Sequence, residues 1–525
     1  MGVVGRYWVC ICTVLVLLVQ LSTLRLRGHS DELIIIIGAG AAGLAAAQAL
    51  ADTVEVVVLE ARERLGGRVH TDHSLGAAAE LGAVWIHRAE GNVVTELAER
   101  FGCRRFQSQN KALRLYDEAG REYGAHEVRS GYETLTRDVM PELLRKRAAL
   151  GGADRDMQSL LREIPPFARL PRAADAAAGR RRCILDFLLF RDVVQDHTAD
   201  LAQSSAAHYD NDLYGGSGKD ELLPAGYDCI INGLAHGLNV QTGLRGEVVG
   251  VRWRGGQAVE VQTADGRVRV AARVIVAVPL GVLKAGLKPG LHMGEQPDQP
   301  PRGAIRFDPP LPPYTEHAIR QLGFGEATKV ALRFSHFFWP RDAHFLGKVA
   351  GGCDDFGSSR HMEFLNVGAY SGEPVLLMET ETANARRLAA LDDAGAVGAV
   401  MAELRRMFPG APWPIRSVVA RLGNESFQRG GFSYMPAHGS PDLFEQLALP
   451  LYGSRLFLAG EHTSAYHPGT VHGAVVSGRL AAAQVHGAIF GDRLEGARYA
   501  EGYLQRLRRE QEGQAEGEER WDRNP

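Results

Sequence analysis

Cysteine is scarce in this chain, with 6 in 525 residues, and none of the six forms a CxxC pair or a metal-ligand spacing. That absence excludes a metal centre built on cysteine clusters. Cys10 and Cys12 fall in an N-terminal apolar stretch, while Cys103, Cys183, Cys229 and Cys353 are widely scattered. Buried structural thiols are the expectation for these four, although an oxidising compartment would permit one bridge that the sequence does not identify. Charge of one sign is also missing: the net charge is -3, which excludes a general attraction to nucleic acid and leaves small molecules as the expected partners. The sustained apolar run at residues 9–19 follows Arg6 and is followed by Arg25 and Arg27. It is short for a span of about 20 residues, and no Ala-x-Ala cleavage site follows it. A signal peptide or an uncleaved signal anchor is expected over residues 1–28, directing the chain to the secretory pathway as a secreted or membrane-tethered protein. The last residues, Arg523-Asn524-Pro525, carry no peroxisomal or retention signal.

A chain of 525 residues is too long for one hydrophobic core and implies two domains. Its most informative stretch is Leu33-Ile34-Ile35-Ile36-Ile37-Gly38-Ala39-Gly40-Ala41-Ala42-Gly43. This reads as a buried parallel strand entering a glycine turn and a helix, the arrangement that cradles a pyrophosphate. Gly38 makes the tight turn, Gly40 lets the backbone approach phosphate, and Gly43 lets helix and strand pack closely. The helix N-terminus adds free N–H groups and partial positive charge. A second strand at residues 54–59 ends in Glu60, about twenty residues on, where a carboxylate can accept from the adenosine ribose hydroxyls. Arg62, Arg64 and Arg68 then cluster around a second glycine pair, Gly66-Gly67.

Further along, residues 79–87 read as a short strand and turn, and 93–101 as a helix. Residues 111–207 read as helices with few strands. Alternating strands lie at 248–251 and 258–261, with a hairpin turn at Ala264-Asp265-Gly266 and another strand at 274–278. Residues 288–313 are a Pro-rich linker. A half-buried strand is expected at 329–334, a helix at 392–407, a strand at 456–461 ending in Gly-Glu, and a small-residue helix at 473–485. The chain from residue 493 on is highly charged and reads as a frayed helix or a disordered tail.

The run Glu60-Ala61-Arg62-Glu63-Arg64-Leu65-Gly66-Gly67-Arg68 resembles the extended fingerprint of the flavin-containing amine oxidases, and three further strings agree in order. These are Val278-Pro279-Leu280-Gly281-Val282-Leu283-Lys284, Thr328-Lys329-Val330-Ala331-Leu332-Arg333-Phe334, and the segment from Leu458-Ala459-Gly460-Glu461 to Ser477-Gly478. The chain is most similar in texture to polyamine oxidases, and its catalytic part also resembles flavin-type histone lysine demethylases. The resemblance implies an α/β fold: a discontinuous Rossmann-like FAD-binding domain over 31–105, 225–287 and 415–490. An α+β substrate-binding domain over 106–224 and 288–414 is interwoven with it, and 491–525 form the charged tail.

The same resemblance implies non-covalent FAD, because Gly430-Gly431-Phe432 carries no cysteine where monoamine oxidases attach the flavin. It places Gly38, Gly40, Ala42, Gly43, Glu60, Arg62, Gly67 and Arg68 around the cofactor. Gly82, Ala83, Val84, Trp85, Glu461, Thr470 and Val471 join them. Lys329 corresponds to the lysine that holds a water against the flavin ring. Phe432 matches one aromatic wall of the amine site; the other is His467, or Tyr466 beside it, and a protonated His467 would repel an ammonium and favour activity at higher pH. His87 stands near the substrate tunnel, and Asp210 and Asp212 are where relatives carry channel acids. The implied reaction is oxidation of a spermine- or spermidine-type polyamine with O2 reduced to H2O2. Oxidation of another amine or an L-amino acid, and a catalytically weak flavin-binding scaffold, are the alternatives.

Overall fold

The run of isoleucines becomes the middle strand of a five-stranded parallel sheet. Ser30–Ile37 pairs with Val54–Leu59 on one side and Arg273–Val276 on the other, and Val240–Gln241 and Leu456–Leu458 complete the edges. Its side chains alternate between two cores. Ile34 and Ile36 pack among the helices Ala41–Leu50 and Val471–Phe490, whereas Ile35 and Ile37 pack against Val248, Val251 and Val261 of a four-stranded sheet. Burial on both faces explains why the strand is continuously apolar rather than alternating. Each such side chain contributes roughly 1.5–3 kcal/mol.

The computed structural model describes residues 30–151, 153–165, 167–168, 176–208, 218–256, 258–287, 301–349 and 361–491. The N-terminal apolar segment, Asp210, Asp212 and the charged tail lie outside the described residues.

A second, six-stranded sheet runs in the order Arg416–Arg421, Ala327–Arg333, Val375–Glu381, Met362–Asn366, Phe345–Lys348 and Leu113–Tyr116. Its pairs are antiparallel except the last. Arg416–Arg421, grouped on sequence with the nucleotide-binding pieces, is thus an edge strand of this second sheet. Leu113–Tyr116 is a strand inside the segment expected to be mainly helical. The rest of that segment is helical as its composition indicates, with Ala125–Thr134, Met140–Ala149 and Ala176–Leu189, and it carries two single-turn π-helices, Leu135–Val139 and Phe190–Val194. Phe187, Phe190 and Leu188 pack this layer on Phe345, Leu365 and Leu377 of the sheet.

The thiol expectation needs correction: Cys103 and Cys229 form a disulfide across a separation of 126 residues. It ties the chain just after the helix Val93–Phe101 to the first turn of Asp228–Ala235, a tertiary proximity no local spacing encodes. Closing so long a loop restricts the unfolded chain, so the paired Cys103→Ala and Cys229→Ala variant is expected to lose about 2–4 kcal/mol. Denaturant unfolding measures it; a midpoint equal to the parent's would contradict the assignment.

Candidate active site

Because the five strands are parallel, their C-terminal ends share one edge, and Gly38, Glu60, Ala277 and Gly460 converge there. A cavity of about 4020 Å³ opens from this edge and runs past Gly67, Arg68, Gly82 and Trp85 to Lys329 on the second sheet. Gly38 has φ +103°, a left-handed conformation that favours glycine. A Cβ on Gly43 would overlap the Gly38 carbonyl, so that glycine serves packing, whereas a Cβ on Gly40 meets only the Gly66 oxygen at 3.9 Å. Gly40 therefore leaves backbone open to the cavity. The helix Ala41–Leu50 starts at this point, and its first N–H groups point to where an anion would sit. Ala42 lines the cavity and also touches the C-terminal helix, where a Cβ on Gly478 would overlap the Ala42 carbonyl.

Glu60 is 6% exposed and accepts from Ala39 N at 2.8 Å and Arg62 N at 3.0 Å, one oxygen each. Each carboxylate oxygen can accept again, so capacity remains for ribose hydroxyls. The Arg62 guanidinium is committed within the protein: it donates to Gly67 O at 3.1 Å and pairs with Glu425. Arg68 lies over Phe324 and donates to Gly431 O at 3.1 Å and Glu461 at 2.6 Å.

Glu461 is a junction rather than an open acceptor. Besides Arg68 it accepts from Ser433 Oγ and from Gly469 N at 2.7 Å. Burial alone pushes its carboxyl up, but Arg68, His462 and the Ser433 bond together hold it below the usual carboxylate range. One charge thereby binds three segments distant in sequence. Beside it His462 is fully buried, with no hydrogen-bond partner on either ring nitrogen among the described residues, and burial pushes its imidazole down to about 4. The folded protein therefore refuses a proton that the unfolded chain accepts below about 6.5, so stability should fall as pH drops from about 6.5 towards about 4. Thermal melts between pH 7 and 5 should show a shallower decline for His462→Gln; parallel declines would remove this residue from the account.

Lys329 is 2% exposed, donates to Gly82 O at 2.7 Å and pairs with Glu379 Oε1 at 2.9 Å. A Cβ on Gly82 would overlap the Arg68 carbonyl, which fixes the close approach of these segments. Gly82, Ala83, Val84 and Trp85 line the cavity beside the lysine, and Trp85 lies against Phe345 with ring centroids 5.8 Å apart. Phe432 also lines the cavity, its ring against Gly469, where a Cβ would lie 2.6 Å from it.

The second aromatic position differs from expectation. The wall beyond Phe432 is made by Pro468, Gly469, Thr470, Val471 and His472. His467 is 1% exposed with its ring 4.5 Å from that of His472, and Tyr466 packs in the helix-layer core. The imidazole at this wall is thus His472. Burial, reinforced by His467, His87 and Arg88, holds it well below the usual histidine range and hence neutral. Thr470 caps the helix Val471–Phe490 by accepting from Gly473 N, which leaves the helix N-terminus at the cavity edge.

His87 lines the cavity, its side chain 44% exposed and 3.7 Å from Asp220. Asp220 escaped the sequence reading. Burial raises its carboxyl, but His87, Arg88 N and Asn110 bring it down to about 2. Also unread were Glu363, Glu379, Arg191 and Asp192, all on the cavity wall. Arg191 sits over the Phe345 ring at 4.2 Å, pairs with Glu363 at 2.7 Å and donates to Tyr132 Oη at 2.6 Å and Asn110 O at 2.8 Å. Burial pushes Glu363 up to about 7 despite Arg191.

A channel floored by a glycine turn, leading to a lysine held beside aromatic and acidic side chains, fits a flavin-dependent oxidoreductase site. Comparison with known proteins agrees. The family described as flavin containing amine oxidoreductase matches residues 41–486. Polyamine oxidase 3 of Oryza sativa subsp. japonica is 32% identical over 472 residues, covering 88% of this chain and 90% of that protein. Polyamine oxidase 2 of Arabidopsis thaliana is 32% identical over 470 residues, covering 87% and 88%. Lysine-specific histone demethylase 1 homolog 3 of Oryza sativa subsp. indica is 30% identical over 462 residues, covering 86% of this chain and 54% of that protein. The chain belongs to the flavin-containing amine oxidoreductase family and is an enzyme of that class, with a flavin as its cofactor.

Proposed function

We propose that this protein oxidises a polyamine of the spermine or spermidine type, using non-covalent FAD and reducing O2 to H2O2. The observation that carries the reading is the single cavity that joins the glycine turn to a chamber containing Lys329, Trp85, Phe432 and several carboxyls. When bound, the flavin supplies a two-electron acceptor for the hydride on the carbon beside an amine nitrogen. Gly38, Gly40 and the helix start at Ala41 would hold its pyrophosphate, and Glu60 would accept from its ribose. The helix N-terminus at Val471 would supply partial positive charge to the flavin ring. Lys329 orients a water near the reacting carbon, and Trp85 and Phe432 exclude bulk water and align the amine. Asp220, held ionised on the cavity wall, supplies a carboxylate that draws ammonium groups inward.

An L-amino acid substrate would need a guanidinium for its carboxylate. Arg191, one of the guanidiniums lining the cavity, is already paired with Glu363 and donating to Tyr132 and Asn110. Passage through an oxidising compartment is part of the same proposal, supported by the Cys103–Cys229 bridge. Among the described residues no helix is long and apolar enough to cross a membrane.

The test is turnover in air with spermine, spermidine, a monoamine and L-leucine, measuring H2O2 and identifying the carbonyl product by mass. Peroxide with either polyamine and little with the others is expected. Peroxide with L-leucine or the monoamine alone would overturn the substrate assignment.

A further inference from the structure

Two of the three N–H directions of Lys329 are taken by Gly82 O and Glu379 Oε1. The pairing with Glu379 is built into the sheet. Lys329 stands directly opposite Glu379, and Glu379 directly opposite Glu363 on the next strand. Directly opposed residues project from one face about 5 Å apart. Glu363 has its own cation in Arg191. On the other side of Lys329 the neighbouring strand presents Ala420.

Two further carboxyls approach the lysine. Glu80, on the short strand Ala79–Glu80, is pushed up to about 7 by burial even though it accepts from Tyr227 N and Thr71. Glu381, two residues beyond Glu379, is raised well above the usual range by burial and by the Glu379 charge, with Asp196 and Glu363 adding to it. Burial drives both towards their neutral forms. Glu379, with its side chain 29% exposed, keeps contact with water and with the lysine nitrogen.

We infer that Glu379 is a positioning residue that keeps the Lys329 nitrogen protonated and aims its remaining N–H into the cavity. A consequence follows for the chemistry. A neutral lysine would add through its nitrogen lone pair to an aldehyde carbon, the carbonyl oxygen would leave as water, and an imine would block the site. The ammonium has no lone pair for that step. Glu379 thereby shields Lys329 from carbonyl compounds in the cavity. This consequence rests on the oxidase reading, since amine oxidation releases an aldehyde beside this nitrogen, whereas the control of protonation does not.

The experiment exposes the purified full-length protein to propanal and cyanoborohydride at pH 8, so that any imine is reduced by hydride to a stable propyl amine. Peptide mass spectrometry then compares Lys329 with the exposed Lys219 at the same cavity. Glu379→Gln is expected to raise labelling of Lys329 relative to Lys219 by about tenfold or more, because an opposite charge in contact shifts protonation by that order. Glu379→Asp should stay near the parent. Should the glutamine variant fail to fold, Glu379→Leu, which fills the position without a charge, is expected to raise the same ratio likewise. Equal Lys329 labelling in parent and uncharged variant, or uncharged and aspartate variants behaving alike, would each overturn the assignment. Absence of amine turnover would sink the oxidase reading and leave this result untouched.

Discussion

Lys329→Met should lower kcat about 100-fold or more while KM for the amine changes little. The lysine is assigned to orienting water at the reacting centre rather than to holding substrate, and loss of one preorganised polar group of this kind costs about that much. Methionine fills much of the same volume but leaves Glu379 and the Gly82 carbonyl without their cation. A stability loss of roughly 1–3 kcal/mol should accompany it, the partial exposure of Glu379 reducing the cost of a fully buried pair. The double variant Lys329→Met with Glu379→Leu separates the two effects: it should recover much of the stability and none of the rate. A Lys329→Met enzyme within about threefold of parental kcat would remove the lysine from the chemistry.

The second large effect concerns two neighbouring glycines with different work to do. Gly43→Ala forces a Cβ into the Gly38 carbonyl, where backbone meets backbone and neither can swing aside. The strand, turn and helix must separate, so poor folding and a melting temperature lowered by ten degrees or more, roughly, are expected. Gly40→Ala meets nothing closer than 3.9 Å in the protein itself. It should fold with nearly parental stability yet lose most of its bound flavin, because the methyl group occupies space meant for phosphate. Bound flavin per chain and thermal melts distinguish the two. If Gly40→Ala kept full flavin content, the glycine turn would have no role in holding the pyrophosphate.

What the sequence disclosed and what it hid follow a physical division. The strand at Ile34–Ile37, the glycine turn, the strand carrying Lys329 and the helix Val471–Phe490 were legible because each is specified by local pattern: an apolar run, a required φ or a small-residue stripe. Glu379, Glu363 and Arg191 were not. Each lies on an element with no motif, and only cross-strand register brings the two glutamates beside Lys329. Which of His467 and His472 faces the cavity was not legible, because the segment from Ser464 to Thr470 has no helical or strand period to fix which side chains face inward. His467 turns into the core, where its ring meets that of His472. The disulfide was hidden for the same reason as the glutamates, since its partners are 126 residues apart and meet only through packing of two helices. Asp220 lies just beyond a stretch outside the described residues, in a run of glycines and charges with no period of its own.

The chamber at the end of the channel is where cofactor and substrate assignments meet, and one spectroscopic measurement addresses both. The purified protein should be yellow, release its flavin on acid denaturation, and be bleached under anaerobic conditions by spermine or spermidine far faster than by a monoamine or L-leucine. A protein that retains its flavin in acid, or whose oxidised-flavin spectrum is unchanged by either polyamine but bleached by another amine, would contradict the account.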